Sequence, residues 1–144
     1  MKDKNENIDI KNYIIKARKN LDLIPCGDSD EIETVLRNDF NINKILTKKL
    51  TNLKNEGYEY VLFDCGPAQN RINAAVLSYV DEIIIPCKTE IASIDGIDEI
   101  YSWIRDKLDI STKRISLVVP TLYDTRQNVD KEAYSVISEI FKDK

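Results

Sequence analysis

The sequence predicts an α/β domain on a twisted parallel sheet with helices on both faces, and three observations carry that expectation. Its strand-like segments are continuous apolar runs rather than alternating ones, as in Val61–Phe63, Ile83–Ile85 and Leu117–Val119; strands covered on both faces have this pattern. Segments of helical periodicity, about ten residues or longer, lie between most of them. Three runs also close on an aliphatic–proline pair: Ile24-Pro25, Ile85-Pro86 and Val119-Pro120. Proline donates nothing to a ladder, so each pair is expected to end its strand. In parallel sheets those C-terminal ends share the edge where ligands bind.

Taken in order, Ile10, Tyr13, Ile14 and Ala17 recur at helical spacing and predict a helix over 8–19. Leu21 to Pro25 is a short strand. Asp28 or Ser29 caps a helix carrying Ile32, Val35 and Leu36. A second helix over 42–55 has Ile42, Ile45, Leu46, Leu50 and Leu53 on one side, and Gly57 stops it. Tyr60 to Asp64 is a strand, 71–80 a helix, and Glu82 to Pro86 a strand again. Ser93 caps a helix whose buried face holds Ile94, Ile97, Ile100, Tyr101, Ile104 and Leu108. Arg114 to Pro120 is the next strand. The last helix, 129–142, buries Ala133, Ile137, Ile140 and Phe141. The 144 residues suit one domain spanning 1–144.

Composition removes several functions. There is no histidine, so Ser-His and Cys-His nucleophiles and His-ligated zinc are excluded. Three cysteines without close pairs argue against a disulfide framework. Cys26, Cys65 and Cys87 each follow a predicted strand end, but no C-x-x-C spacing favours a metal over plain thiols. A net charge of −4 gives no electrostatic footprint for nucleic acid over the whole chain. No apolar run is long enough to span a membrane, and MKDKNENID lacks a signal-peptide core, so a cytoplasmic location is expected. Trp103 between Ile100 and Ile104 belongs to packing, while Tyr123, on a loop at the ligand edge, is a functional candidate.

Asp64 is the focus. An aspartate ending an apolar strand can hold Mg²⁺ through water, because the strand fixes the carboxylate and the apolar walls strengthen its pull. It can equally cap the following turn. Gly66 would admit a phosphate to the backbone, and Pro67 would stiffen the loop.

The surrounding residues favour the first role. YEYVLFDCGP (58–67) resembles the switch segment of the ParA/MinD family of deviant-Walker ATPases, typically YDYIIIDCPP. KNLDLIPCG (19–27), INAAVLSYVDEIIIPCKTEIASIDGI (72–97) and VVPTLYDTR (118–126) resemble further segments of that family, in order, over about 8–142. Tyr123-Asp124-x-Arg126 favours the ParA partition branch. The resemblance implies a P-loop NTPase-like fold, ATP and Mg²⁺ as cofactors, and a role in plasmid or chromosome segregation. It implies a ParA-type homodimer, a ParB-like site-binding partner, and nonspecific DNA bound by the complete dimer. Residue by residue, Asp64 matches the catalytic, Mg²⁺-associated aspartate, and Gly66 and Pro67 fall in the γ-phosphate-sensing loop. Pro120 and Thr121 fall where the family's loop approaches adenine, and Arg126 matches an arginine on the DNA-facing side.

There are departures. The family's phosphate loop, KGGxGKT, has no counterpart: the four glycines, at 27, 57, 66 and 96, precede Asp28, Tyr58, Pro67 and Ile97, never a lysine. Gly66 replaces a usual proline, and Ala68-Gln69 a small polar and an aliphatic residue. The chain is expected to be the middle of a longer ATPase, truncated at both ends and not hydrolysing ATP alone. The alternative is a non-catalytic interaction or regulatory protein that pairs with a complete ATPase subunit.

Overall fold

The computed structural model of the chain describes residues 10–27, 46–47, 50 and 53–142. The chain divides into two compact units, Met1–Tyr79 and Val80–Lys144.

In the first unit a 3-10 turn, Ile10–Tyr13, leads into an antiparallel hairpin of β1, Ile15–Arg18, and β2, Leu21–Leu23. The helix expected over 8–19 is therefore corrected to a turn and a strand. Cross-strand pairing outweighs the helical spacing here. Ile15 stands opposite Leu23, Lys16 opposite Asp22, and Asn20 takes the left-handed conformation (φ 61°) that asparagine tolerates at a turn. Lys16 Nζ lies 2.6 Å from Asp22 Oδ2, and the Tyr58 hydroxyl donates to the same oxygen. Both donors hold the Asp22 carboxyl below the usual carboxylate range.

Leu46, Thr47 and Leu50 are helical, and Leu50 and Leu53 are buried. A 3-10 turn, Leu53–Glu56, ends at Gly57, whose φ of 86° makes it the expected stop. The predicted helix around Ile32, Val35 and Leu36 lies outside the described residues, as do Ile42 and Ile45.

The strand expected at Tyr60–Asp64 is also corrected: among the described residues, nothing pairs with this segment. Tyr60 and Leu62 are 82% and 86% exposed. A strand needs a neighbour to satisfy its ladder, and an apolar run alone does not supply one. Phe63 is anchored instead by its ring, edge-on to Tyr79 at 5.9 Å. Tyr79 closes α1, Arg71–Tyr79, which buries Asn73, Ala75 and Val76.

The second unit is a β–α–β arrangement plus one helix. β3, Ile83–Lys88, pairs in parallel with β4, Ile115–Thr121, across α2, Ala92–Ser102, which continues through a π turn at Trp103–Lys107. A parallel pair needs such a crossover. α3, Asn128–Ile140, follows. Both strands run through their prolines rather than ending at them: Pro86 faces Val119, and Pro120 faces Cys87. This corrects the expected strand ends. Among the described residues this ladder has two strands, so each keeps one edge unpaired there, where a missing N–H leaves no partner unsatisfied.

Burial on β3 alternates. Ile83, Ile85 and Cys87 point into the unit, whereas Ile84, Pro86 and Lys88 are exposed. On β4, Ile115 and Val118 are buried three positions apart. A bulge makes that possible: Ile83 faces Ile115 but Ile84 faces Leu117, which leaves Ser116 as the extra residue, its hydroxyl 3.3 Å from the Ile83 carbonyl.

Ile97, Ile104, Ile115 and Ile137 are almost wholly enclosed, each stabilising the unit by roughly 2 kcal/mol. Ala133, Ile137 and Phe141 repeat every fourth residue and are buried, and the Phe141 ring meets Tyr101 of α2 at 5.6 Å. Ile140, expected inside, is 53% exposed because it falls off that stripe. Ser93 is not the cap of α2 but lies inside it. The first turn is closed by Ser93 and Ile94 N–H groups donating to the Glu90 and Ile91 carbonyls at 3.0 Å. Among the described residues no helix is long and apolar enough to cross a membrane.

Candidate functional site

Asp64, Gly66 and Pro67 share one loop of the first unit. Residues 64–69 are all exposed and lead into α1. A Cβ added at Gly66 would meet no atom within 4 Å, so that face of the loop is open. Asn70 caps α1: its Oδ1 accepts from the Asn73 backbone N–H at 2.9 Å. The Asn73 side chain is buried, and its Nδ2 donates to the Gly66 carbonyl at 2.7 Å and the Ala68 carbonyl at 2.6 Å. The loop is thus hydrogen-bonded to the helix it precedes. Cys65 is exposed as a residue, but partial desolvation of its sulfur by the surrounding loop, with the Asp64 charge beside it, pushes the thiol up.

An exposed carboxylate such as Asp64 is a hard oxygen donor that would suit Mg²⁺ held through water. The rest of a triphosphate grip does not fit these residues, since no Gly-Lys pair exists in the sequence. A cleft of about 50 Å³ in this unit is lined by Ile14, Asp22, Ile24, Leu53, Tyr58 and Val61. It has room for water rather than a nucleotide, and contains none of the predicted site residues.

Pro120, Thr121 and Arg126 share the junction between β4 and α3. Pro120 and Thr121 are the last residues of β4. Thr121 Oγ1 donates to the Cys87 carbonyl at 2.9 Å, which ties the two strand ends together. Leu122 then takes a left-handed conformation (φ 57°), which turns the chain. Tyr123 packs on Tyr134 of α3, ring centroids 5.2 Å apart, and the Asp124 N–H donates to Asp130 Oδ2 at 2.8 Å. Arg126 grips Asp124 with two prongs, Nε at 2.9 Å and Nη2 at 2.7 Å, and adds its backbone N–H at 2.9 Å. These bonds hold the Asp124 carboxyl down at about 2. The Arg126 charge is therefore matched within its own loop while its side chain stays 87% exposed.

Asn73 was not legible as a site residue, although Asn70 just ahead of a helical run is a recognisable cap signal. The Asp124–Asp130 link and the Tyr123–Tyr134 pair carry no local sequence signature.

The cysteines give a direct check on this placement. Cys26 and Cys65 are exposed and Cys87 is buried, its thiol pushed up by that burial. A thiol reagent is expected to label Cys26 and Cys65 in the native chain and Cys87 only on unfolding, read by peptide mass spectrometry. Equal labelling of all three would contradict the buried face of β3.

The parallel β–α–β arrangement of the second unit is an α/β architecture, and the family that the chain matches implies a P-loop NTPase-like fold. The AAA domain family matches residues 2–117. The chain belongs to that family, in its ParA/MinD-like group of P-loop ATPases. An uncharacterized protein of Mycobacterium tuberculosis is 30% identical over 94% of this chain and 44% of its own length. The sporulation initiation inhibitor protein Soj of Bacillus subtilis is 24% identical over 91% of this chain and 53% of its own. The chromosome-partitioning ATPase Soj of Treponema pallidum is 24% identical over 87% and 50%. The chain spans about half the length of these relatives. No solved structure matches it.

Proposed function

We propose that the chain is the switch-bearing portion of a ParA-like partition ATPase that acts in plasmid or chromosome segregation from the cytoplasm. The observation that carries this reading is Asp64 at the head of an exposed loop that is hydrogen-bonded to the N-terminal turn of α1, in a chain of this family. In the first unit, Asp64 would hold Mg²⁺ through water and Gly66 and Pro67 would serve the γ-phosphate; in the second, Pro120 and Thr121 would serve the adenine. Arg126 faces DNA in the ATP-bound dimer, and a ParB-like protein is the partner at the partition site. Bound ATP and Mg²⁺ supply the electrophilic phosphorus and its charge compensation. Because no Gly-Lys cradle lies in these 144 residues, the grip on the triphosphate comes from polypeptide outside them. Turnover is not a property of the chain alone. The same observation favours a second reading, a non-catalytic protein that pairs with a complete ATPase subunit through the surface of 64–71.

The test is a titration with fluorescent ATP, with and without Mg²⁺, on the wild-type chain and Asp64→Asn. Affinity is expected in the millimolar range, about 4 kcal/mol, to depend on Mg²⁺, and to lose that dependence in the variant. Binding that ignores both Mg²⁺ and the substitution would overturn the assignment of Asp64. Co-purification with a complete ATPase subunit without any nucleotide dependence would select the second reading.

A further inference from the structure

We propose that Asn73 is the positioning residue of the loop that carries Asp64, Gly66 and Pro67. This rests on the reading of that loop as nucleotide-sensing, and it assigns to α1 the part that holds it. Both N–H groups of one buried amide are committed to two carbonyls two residues apart, at 2.7 and 2.6 Å. Pro67 lies between those carbonyls and has no N–H, so the peptide before it offers only an acceptor. A side-chain donor is the partner that such a stretch can use, and Asn73 supplies it.

The geometry also sets which way the loop faces. Every described peptide is trans, so the N–H of Gln69 points opposite to the Ala68 carbonyl. With that carbonyl turned onto Asn73, the Gln69 N–H is aimed away from the Asn73 amide. Asn73 is itself fixed, because its backbone N–H is held by the Asn70 cap and its side chain is buried. Loop and helix start are therefore one hydrogen-bonded piece, and a ligand that shifts Gly66 or Ala68 must pull on α1.

Hydrogen exchange on the full chain tests this, comparing wild type with Asn73→Asp and Asn73→Ala. Asn73→Asp keeps the volume but replaces a two-proton donor with acceptors that face two carbonyls. Both variants are expected to speed exchange by about tenfold in the peptide covering the loop and helix start, 64–76, through the loss of two modest hydrogen bonds, while β3, β4 and α3 exchange as before. In that peptide the Asn73 and Ala74 N–H groups are held by Asn70. If Asn73 only fills space, Asn73→Asp will be silent and Asn73→Ala will loosen the whole first unit; either result overturns the proposal. Adding Mg²⁺ and ATP to the wild type separates the two ideas. Faster loop exchange in the variants without nucleotide protection in the wild type would leave Asn73 as the loop's holder and reject the nucleotide reading.

Discussion

Replacing Ile104 by alanine is expected to cost the second unit about 3 kcal/mol, close to its whole stability margin. Ile104 is 0% exposed. It lies inside the π turn that continues α2, and its carbonyl accepts the Ile110 N–H at 3.0 Å, where the chain turns toward β4. The turn holds the backbone in place, so the site cannot collapse around a smaller side chain and the lost methyl groups leave a void. Ile84→Ala is the matched control. Ile84 is 54% exposed on the open face of β3, and its truncation is expected to cost under about 0.5 kcal/mol. Trp103, the single tryptophan, adjoins Ile104 and reports this unit by fluorescence during urea unfolding. Equal shifts for the two variants would mean that the two faces of the sheet have been assigned wrongly.

The second unit was largely legible in the sequence, for a physical reason. Its helices show a clear 3.6-residue stripe, Ile97 with Ile104 and Ala133 with Ile137, and its strands are β-branched runs between them. What escaped was set by the partner strand: β3 and β4 pair through Pro86 and Pro120, and among the described residues each has an unpaired edge that tolerates a missing N–H. The first unit was less legible. The spacing of Ile10, Tyr13, Ile14 and Ala17 fits a helix as well as a turn and strand. The choice rests on Asp22 meeting Lys16 across the hairpin and Tyr58 from 36 residues away, and no local pattern encodes that distance.

The candidate site divides the same way. Asp64, Gly66 and Pro67 stand out as an acid and a tight turn after an apolar run. The residue that holds their loop, Asn73, looks like an ordinary polar position until the helix buries it. Arg126 was legible as a cation, but its two-pronged pairing with Asp124 was not. On the proposed function, DNA phosphates must compete with Asp124 for the Arg126 guanidinium.

A pair of neighbouring substitutions on β4 is expected to give opposite results, and the bulge at Ser116 is the reason. In a regular strand begun at Ile115, alternation would bury Leu117 and expose Val118. The extra residue reverses that: Val118 is 6% exposed and faces Ile85, while Leu117 is 44% exposed and faces Ile84. Val118→Asp therefore places a carboxylate on the buried face beside Ile85, largely shut off from water. Its cost is expected to exceed about 3 kcal/mol and to abolish the cooperative unfolding of the second unit. Leu117→Asp puts the same charge on the open face, where water still solvates it, at an expected cost below about 1 kcal/mol. Trp103 fluorescence in urea reads both variants. A tolerated Val118→Asp beside a disruptive Leu117→Asp would show that the strand runs without its bulge. In that case the register of β3 against β4, and with it the placement of Pro120 and Thr121 at the rim, would be off by one residue.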